Sequence, residues 1–113
     1  MRIFSQLHVT TNAGDDSAAV IGKNVGNSVR THTAEYQCTS GTGNATVTHY
    51  GRNGYSGGTT GGGWFPIWTY TFTGASNGDK ASATLQHAWE DYKSECSVLT
   101  GTGGKVLSTM SGA

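Results

Sequence analysis

The chain is poor in charge, in proline and in unbroken apolar sequence. Only 12% of its 113 residues are charged, seven basic and seven acidic, for a formal net charge of zero. Such a balance offers no electrostatic footprint for gripping phosphate backbones or anionic lipid, so neither nucleic acid nor a membrane is an expected partner. The opening Met1-Arg2-Ile3-Phe4-Ser5-Gln6-Leu7-His8-Val9 alternates instead of running apolar, unlike the hydrophobic core of a signal peptide or anchor, and synthesis in the cytoplasm is the expectation. Two cysteines, Cys38 and Cys96, do not make a disulfide framework; the compartment favours buried free thiols, and oxidising conditions would allow them to pair.

Chemistry-bearing patterns are also scarce. His8, His32, His49 and His87 show no metal-ligand spacing with one another or with either cysteine. Glu90, Asp91 and Glu95 beside Lys93 read as the solvated side of an edge strand or turn. Gly101-Thr102-Gly103-Gly104-Lys105 lacks the spacing and the following helix of a phosphate loop. Asn44-Ala45-Thr46 matches a glycosylation sequon that a cytoplasmic chain does not use. No catalytic residue, metal or cofactor is expected, and the chain reads as a protein that is not an enzyme.

What the sequence does have is glycine, 18 residues of it, with many Thr and Ser, the composition of a turn-rich all-β domain. Its length suits one domain with one core. Alternation predicts strands at about 2 to 10, 17 to 22, 29 to 39, 44 to 51, 66 to 73, 81 to 86, 89 to 99 and 104 to 110. Helical periodicity competes only around Leu85, Trp89 and Tyr92, where a short helical turn before a strand would satisfy both signals. Two segments echo each other, Cys38 to Thr48 and Cys96 to Ser108, each a Cys-bearing strand, a Gly-Thr-Gly turn and a second strand. Both are expected to be hairpins of one antiparallel β-sandwich.

Period-two parity puts Ala34, Tyr36 and Cys38 on one strand face, and Tyr92, Ser94, Cys96 and Val98 on another, both able to point inward. In the immunoglobulin sandwich a Tyr lies two residues before the second Cys, whereas Tyr92 lies four before Cys96, so the topology stays open between jelly-roll and immunoglobulin-like. Trp68, Tyr70 and Phe72 share a strand face, with Tyr70 and Phe72 expected in the core. Gly51 to Gly63 holds seven glycines in thirteen positions and must be a surface loop, either a bare connection or a partner-binding one. Trp64 and Phe65, where that loop rejoins a strand at Pro66, suit an anchor for another protein or a sugar ring.

From Tyr36 to Gly112 the order of features resembles a group of small virion proteins of tailed bacteriophages. The matching pieces are Gly41 to Val47, Gly51-Arg52-Asn53-Gly54, Trp64 to Gly74, Trp89-Glu90-Asp91-Tyr92 and Gly101 to Met110. The glycine-rich insertion after Asn53 and Lys105-Val106-Leu107 depart from the group, and residues 1 to 30 have no counterpart in it. The resemblance implies a virion component, head decoration (cement) by preference, located on the capsid surface with the major capsid protein as partner. A trimer about a local three-fold axis would cover exposed strand edges. The candidate partner-binding residues are Arg2 and Phe4, on an N-terminal segment able to add a strand to a neighbour, and Arg52, Asn53, Tyr55, Trp64 and Phe65 around the loop. The competing expectation is a carbohydrate-binding module that stacks sugar on Trp64, Trp68 and Tyr55 beside Asn53 and Arg52; a third is a tail or baseplate piece.

Overall fold

The computed structural model describes residues 2–11, 19–20, 29–52 and 63–112. Eight strands follow in chain order: β1 (Arg2–His8), β2 (Ala19–Val20), β3 (Val29–Gln37), β4 (Gly43–Arg52), β5 (Phe65–Ala75), β6 (Lys80–Gln86), β7 (Asp91–Leu99) and β8 (Lys105–Gly112). They form two antiparallel sheets with orders β1-β8-β3-β6 and β2-β7-β4-β5. That interleaving is a jelly-roll, two Greek keys wrapped into facing sheets, and it decides between the two sandwich topologies.

Alternation is what makes these segments strands. In β3 every second residue from Arg30 to Tyr36 is buried, and in β4 the buried set runs Gly43, Ala45, Val47, His49 and Gly51, so each strand offers one face to the core and one outward. Leu85, Trp89 and Tyr92 do not build a helical turn: β6 ends at Gln86 and β7 begins at Asp91.

The two Gly-Thr-Gly segments are not hairpins. Each carries the chain from one sheet to the other, β3 to β4 and β7 to β8, and the two corners meet at one end of the sandwich. Ser40 bridges Thr102, the Thr39 amide donates to the Thr102 carbonyl at 2.9 Å, and the Tyr36 hydroxyl donates to the Thr100 carbonyl at 2.6 Å. A Cβ at Gly43 or Gly101 would collide with that hydroxyl, so the glycines are required where two backbones close over a tyrosine. The repeat in the sequence is thus a pair of facing corners.

Two apolar clusters fill the interior. Near the corners lie Ala34, Tyr36, Cys38, Ala45, Val47, Phe72, Ala75, Cys96 and Val106; the other cluster joins Phe4, Tyr92 and Met110, flanked by Ile3, Ile67 and Trp89. Tyr36 and Phe72, from opposite sheets, meet in the first cluster with ring centroids 6.0 Å apart. Both cysteines are buried thiols that are not joined in a disulfide. Parity fails at two places. Val98 is 42% exposed because a register shift lets Thr46 pair with Val98 and Val47 with Cys96, so the extra residue turns the strand over. Tyr70 is 38% exposed, since β5 is an edge strand whose inner face the opposite sheet covers only in part.

Candidate functional site

Between the apolar clusters runs a polar layer. His32 precedes Ala34 on β3, His49 follows Val47 on β4, Ser94 precedes Cys96 on β7 and Ser108 follows Val106 on β8, and all four are buried. The fold thereby brings together histidines that their sequence spacing kept apart. His32 Nδ1 lies 2.7 Å from His49 Nδ1, and His32 Nε2 lies 2.8 Å from His87 Nε2. His49 Nε2 meets the Ser108 hydroxyl, which accepts from Ser94 at 3.0 Å, and Ser94 in turn lies 2.8 Å from His8 Nε2. At the other end His87 Nδ1 is 3.4 Å from the Tyr92 hydroxyl, which accepts the Trp89 amide at 2.9 Å.

Aromatic rings wall this chain in. Phe4 meets His49 edge-on with centroids 4.9 Å apart, and Trp68 packs against His49 at 4.9 Å and His32 at 5.5 Å. Burial therefore disfavours the charged imidazolium throughout. His32 is pushed down to about 4 by burial and then by His87. His49 falls well below the usual range, by burial first and the neighbouring imidazoles second. Burial also lowers His87, with Arg30 adding to the effect, and lowers His8, against the pull of Glu95.

Among the described residues no group of three or more His, Cys, Asp or Glu side chains is placed to hold a metal ion. His32 instead directs its two ring nitrogens to two different histidines. The nitrogen separations are those of hydrogen bonds, shorter than the roughly 3.3 Å between ligands spaced tetrahedrally at zinc distances. Surface depressions at Thr33, Ala81 and Leu107 and at Val9, Leu99 and Gly103 are lined by no histidine. The layer ties sheet to sheet, linking His32 and Ser108 of one sheet to His49 and Ser94 of the other.

The acidic residues of β7 are likewise structural, and the solvated-edge expectation is corrected. β7 lies between β2 and β4. Asp91 is 2% exposed and pairs with Arg52 at 3.2 Å, and Lys93, 4% exposed, pairs with Glu95 at 2.8 Å. Trp64 covers them: the Arg52 guanidinium sits 4.1 Å and the Lys93 ammonium 4.8 Å from its ring, with Lys93 also 5.2 Å from Tyr50. Cation–π contact over desolvated cations is the stronger kind.

The partner-binding candidates scatter accordingly. Phe4 is buried in the core at 3% exposure, which corrects its reading as a contact residue. Of the two forms open to the N-terminal segment, arm or edge strand, Arg2–His8 takes the second, pairing with β8 as an edge strand of its sheet. Arg52 is tied to Asp91 and Trp64 is half-buried above it, while Trp68 packs on the histidines. Arg2 is exposed and Phe65 is 58% exposed, stacked on Trp89 at 5.7 Å. Asn53 and Tyr55 lie outside the described residues. Period-two parity was the signal for the histidine layer, since His32 shares a face with Ala34 and Tyr36, and His49 with Val47. Comparison with family models, curated proteins and solved structures finds no match for this chain.

Proposed function

We propose that the protein is a structural component of a tailed-bacteriophage virion, most specifically a decoration protein that binds the outside of the head and reinforces it. The observation that carries this reading is the division between interior and exterior. The two thiols and the imidazoles of His8, His32 and His49 are buried, whereas Leu7, Val9, Phe65, Tyr70 and Val98 are large apolar side chains left exposed. A surface of this kind works by being covered. Each stable contact needs roughly 1,200 to 2,000 Å² of total buried area, and repetition over a closed shell multiplies modest contacts.

The long edge strand β5 and the edge strand β1 suit association of copies, and a trimer would cover such edges. The sequence resemblance from Tyr36 to Gly112 points the same way, and the jelly-roll is a fold found in viral capsid proteins, though in lectins as well. The placement of Trp64 over Arg52 and Lys93, and of Trp68 against the histidines, leaves these two rings poorly disposed for stacking on sugar. The test is to image virions from a phage lacking the gene. Loss of regularly spaced surface knobs supports decoration; unchanged heads on particles that no longer adsorb, or that lack a tail part, contradict it.

A further inference from the structure

The linked imidazoles of His32, His49 and His87 can be counted as hydrogen-bond donors and acceptors, and the count has a definite capacity. Three neutral rings carry three N–H groups. The two nitrogen–nitrogen links, His49 Nδ1 to His32 Nδ1 and His32 Nε2 to His87 Nε2, each hold one hydrogen. The third sits at one end of the chain, on His49 Nε2 facing Ser108 or on His87 Nδ1 facing Tyr92. Both end partners are hydroxyls, able to donate or accept, so the neutral chain is satisfied with its hydrogens running in either direction.

We propose that this triad is a proton-binding site of unit capacity: the folded sandwich takes up one proton, shared along the three rings, and refuses a second. One added proton occupies both ends, with His49 Nε2–H donating to Ser108 and His87 Nδ1–H donating to Tyr92, and every link keeps its single hydrogen. A second added proton has only a link left to enter, where two N–H groups would face each other at 2.7 or 2.8 Å. Donor against donor loses the bond, at the buried His32–His49 link between the sheets or at the part-buried His32–His87 link, so further uptake requires one of the links to break.

The surroundings set where the charge rests. β1 brings His8 and the ring of Phe4, β3 brings the buried Arg30, and β5 brings Trp68. β7 brings Tyr92 and Ser94, and β8 brings Ser108. From β6 the one charged side chain, Lys80, is exposed and pairs with Glu35; on β7, Asp91 pairs with Arg52, and Lys93 with Glu95. Arg30 opposes a charge on His87, and His8 reaches the triad only through Ser94 and Ser108. With no carboxylate hydrogen-bonded to the triad among the described residues, the proton is held by the chain alone and enters only on acidification. The inference concerns the interior and is independent of the virion reading.

Residue-resolved titration of the ring nitrogens by NMR, on the intact protein from neutral pH down to unfolding, tests it. The expected result is three neutral rings at neutral pH and a summed uptake of one proton over His32, His49 and His87 while the fold persists. Ser108→Ala removes the acceptor at the buried end, and the folded variant is expected to take up none. A summed uptake of two or more in the folded wild type, or of none before it unfolds, would overturn the proposal. So would a folded Ser108→Ala protein that protonates as the wild type does; if that variant does not fold, the wild-type sum decides.

Discussion

Tyr36 shows how one side chain fixes a piece of topology. Its ring is wholly buried, its hydroxyl ends on the Thr100 carbonyl of the far corner, and both Gly43 and Gly101 lack a Cβ where that hydroxyl lies. Tyr36→Phe is expected to lower unfolding free energy by about 1 kcal/mol, the net worth of one hydrogen bond. Gly43→Ala is expected to cost more, about 1–3 kcal/mol, because its methyl meets the hydroxyl and the Thr100 backbone. Urea unfolding of both variants checks the order. At this scale parity made much legible: Ala34, Tyr36, Cys38, Tyr92, Ser94 and Cys96 all point inward. The histidine layer was missed because His32 reaches His49 and His87 across 17 and 55 residues, and metal-ligand spacing searches local intervals. Val98 was misplaced because a bulge reverses parity without leaving a mark in composition.

At the scale of elements, β7 carries the clearest departure from expectation. Its sequence Asp91-Tyr92-Lys93-Ser94 looks half-solvated, yet all four residues are buried, because β4 pairs along one side and Trp64 folds back over the outward face. Removing one partner of a buried ion pair leaves the other charge uncompensated. Asp91→Ala is accordingly expected to destabilise by about 3 kcal/mol, toward the low end for buried pairs because Arg52 keeps some solvent and its contact with Trp64. Thermal and urea unfolding measure it, and a change under 1 kcal/mol would show that the pair is solvated after all. Strand positions were legible from alternation where one face is buried and the other is not, as in β3 and β4. Pairing was less so: Gly-Thr-Gly specifies a sharp reversal, but whether the next strand pairs with the last or crosses to the other sheet depends on contacts far along the chain, such as Ser40 with Thr102.

For the whole molecule, the buried imidazoles make stability depend on pH with a fixed sign. Each of the four has its folded-state value lowered, so the unfolded chain binds more protons below its ordinary value of about 6.5. Stability is therefore full above that value and falls as pH drops toward about 4, the value for His32. His32 alone contributes on the order of 2 kcal/mol of loss between pH 7 and about 5. The urea midpoint is expected to move down over this range with an unchanged slope; a midpoint independent of pH would contradict burial of the neutral rings.

The proposed role of this jelly-roll is adhesion to the outside of a phage head through its exposed apolar side chains. Its most direct test is add-back: purified protein is mixed with phage heads that lack it, and bound copies and resistance to heat-induced bursting are measured together. Saturable binding at a fixed number of copies per head, with bursting shifted to higher temperature, is the predicted result. Heads that bind no protein, or bind it without any gain in resistance, would contradict it.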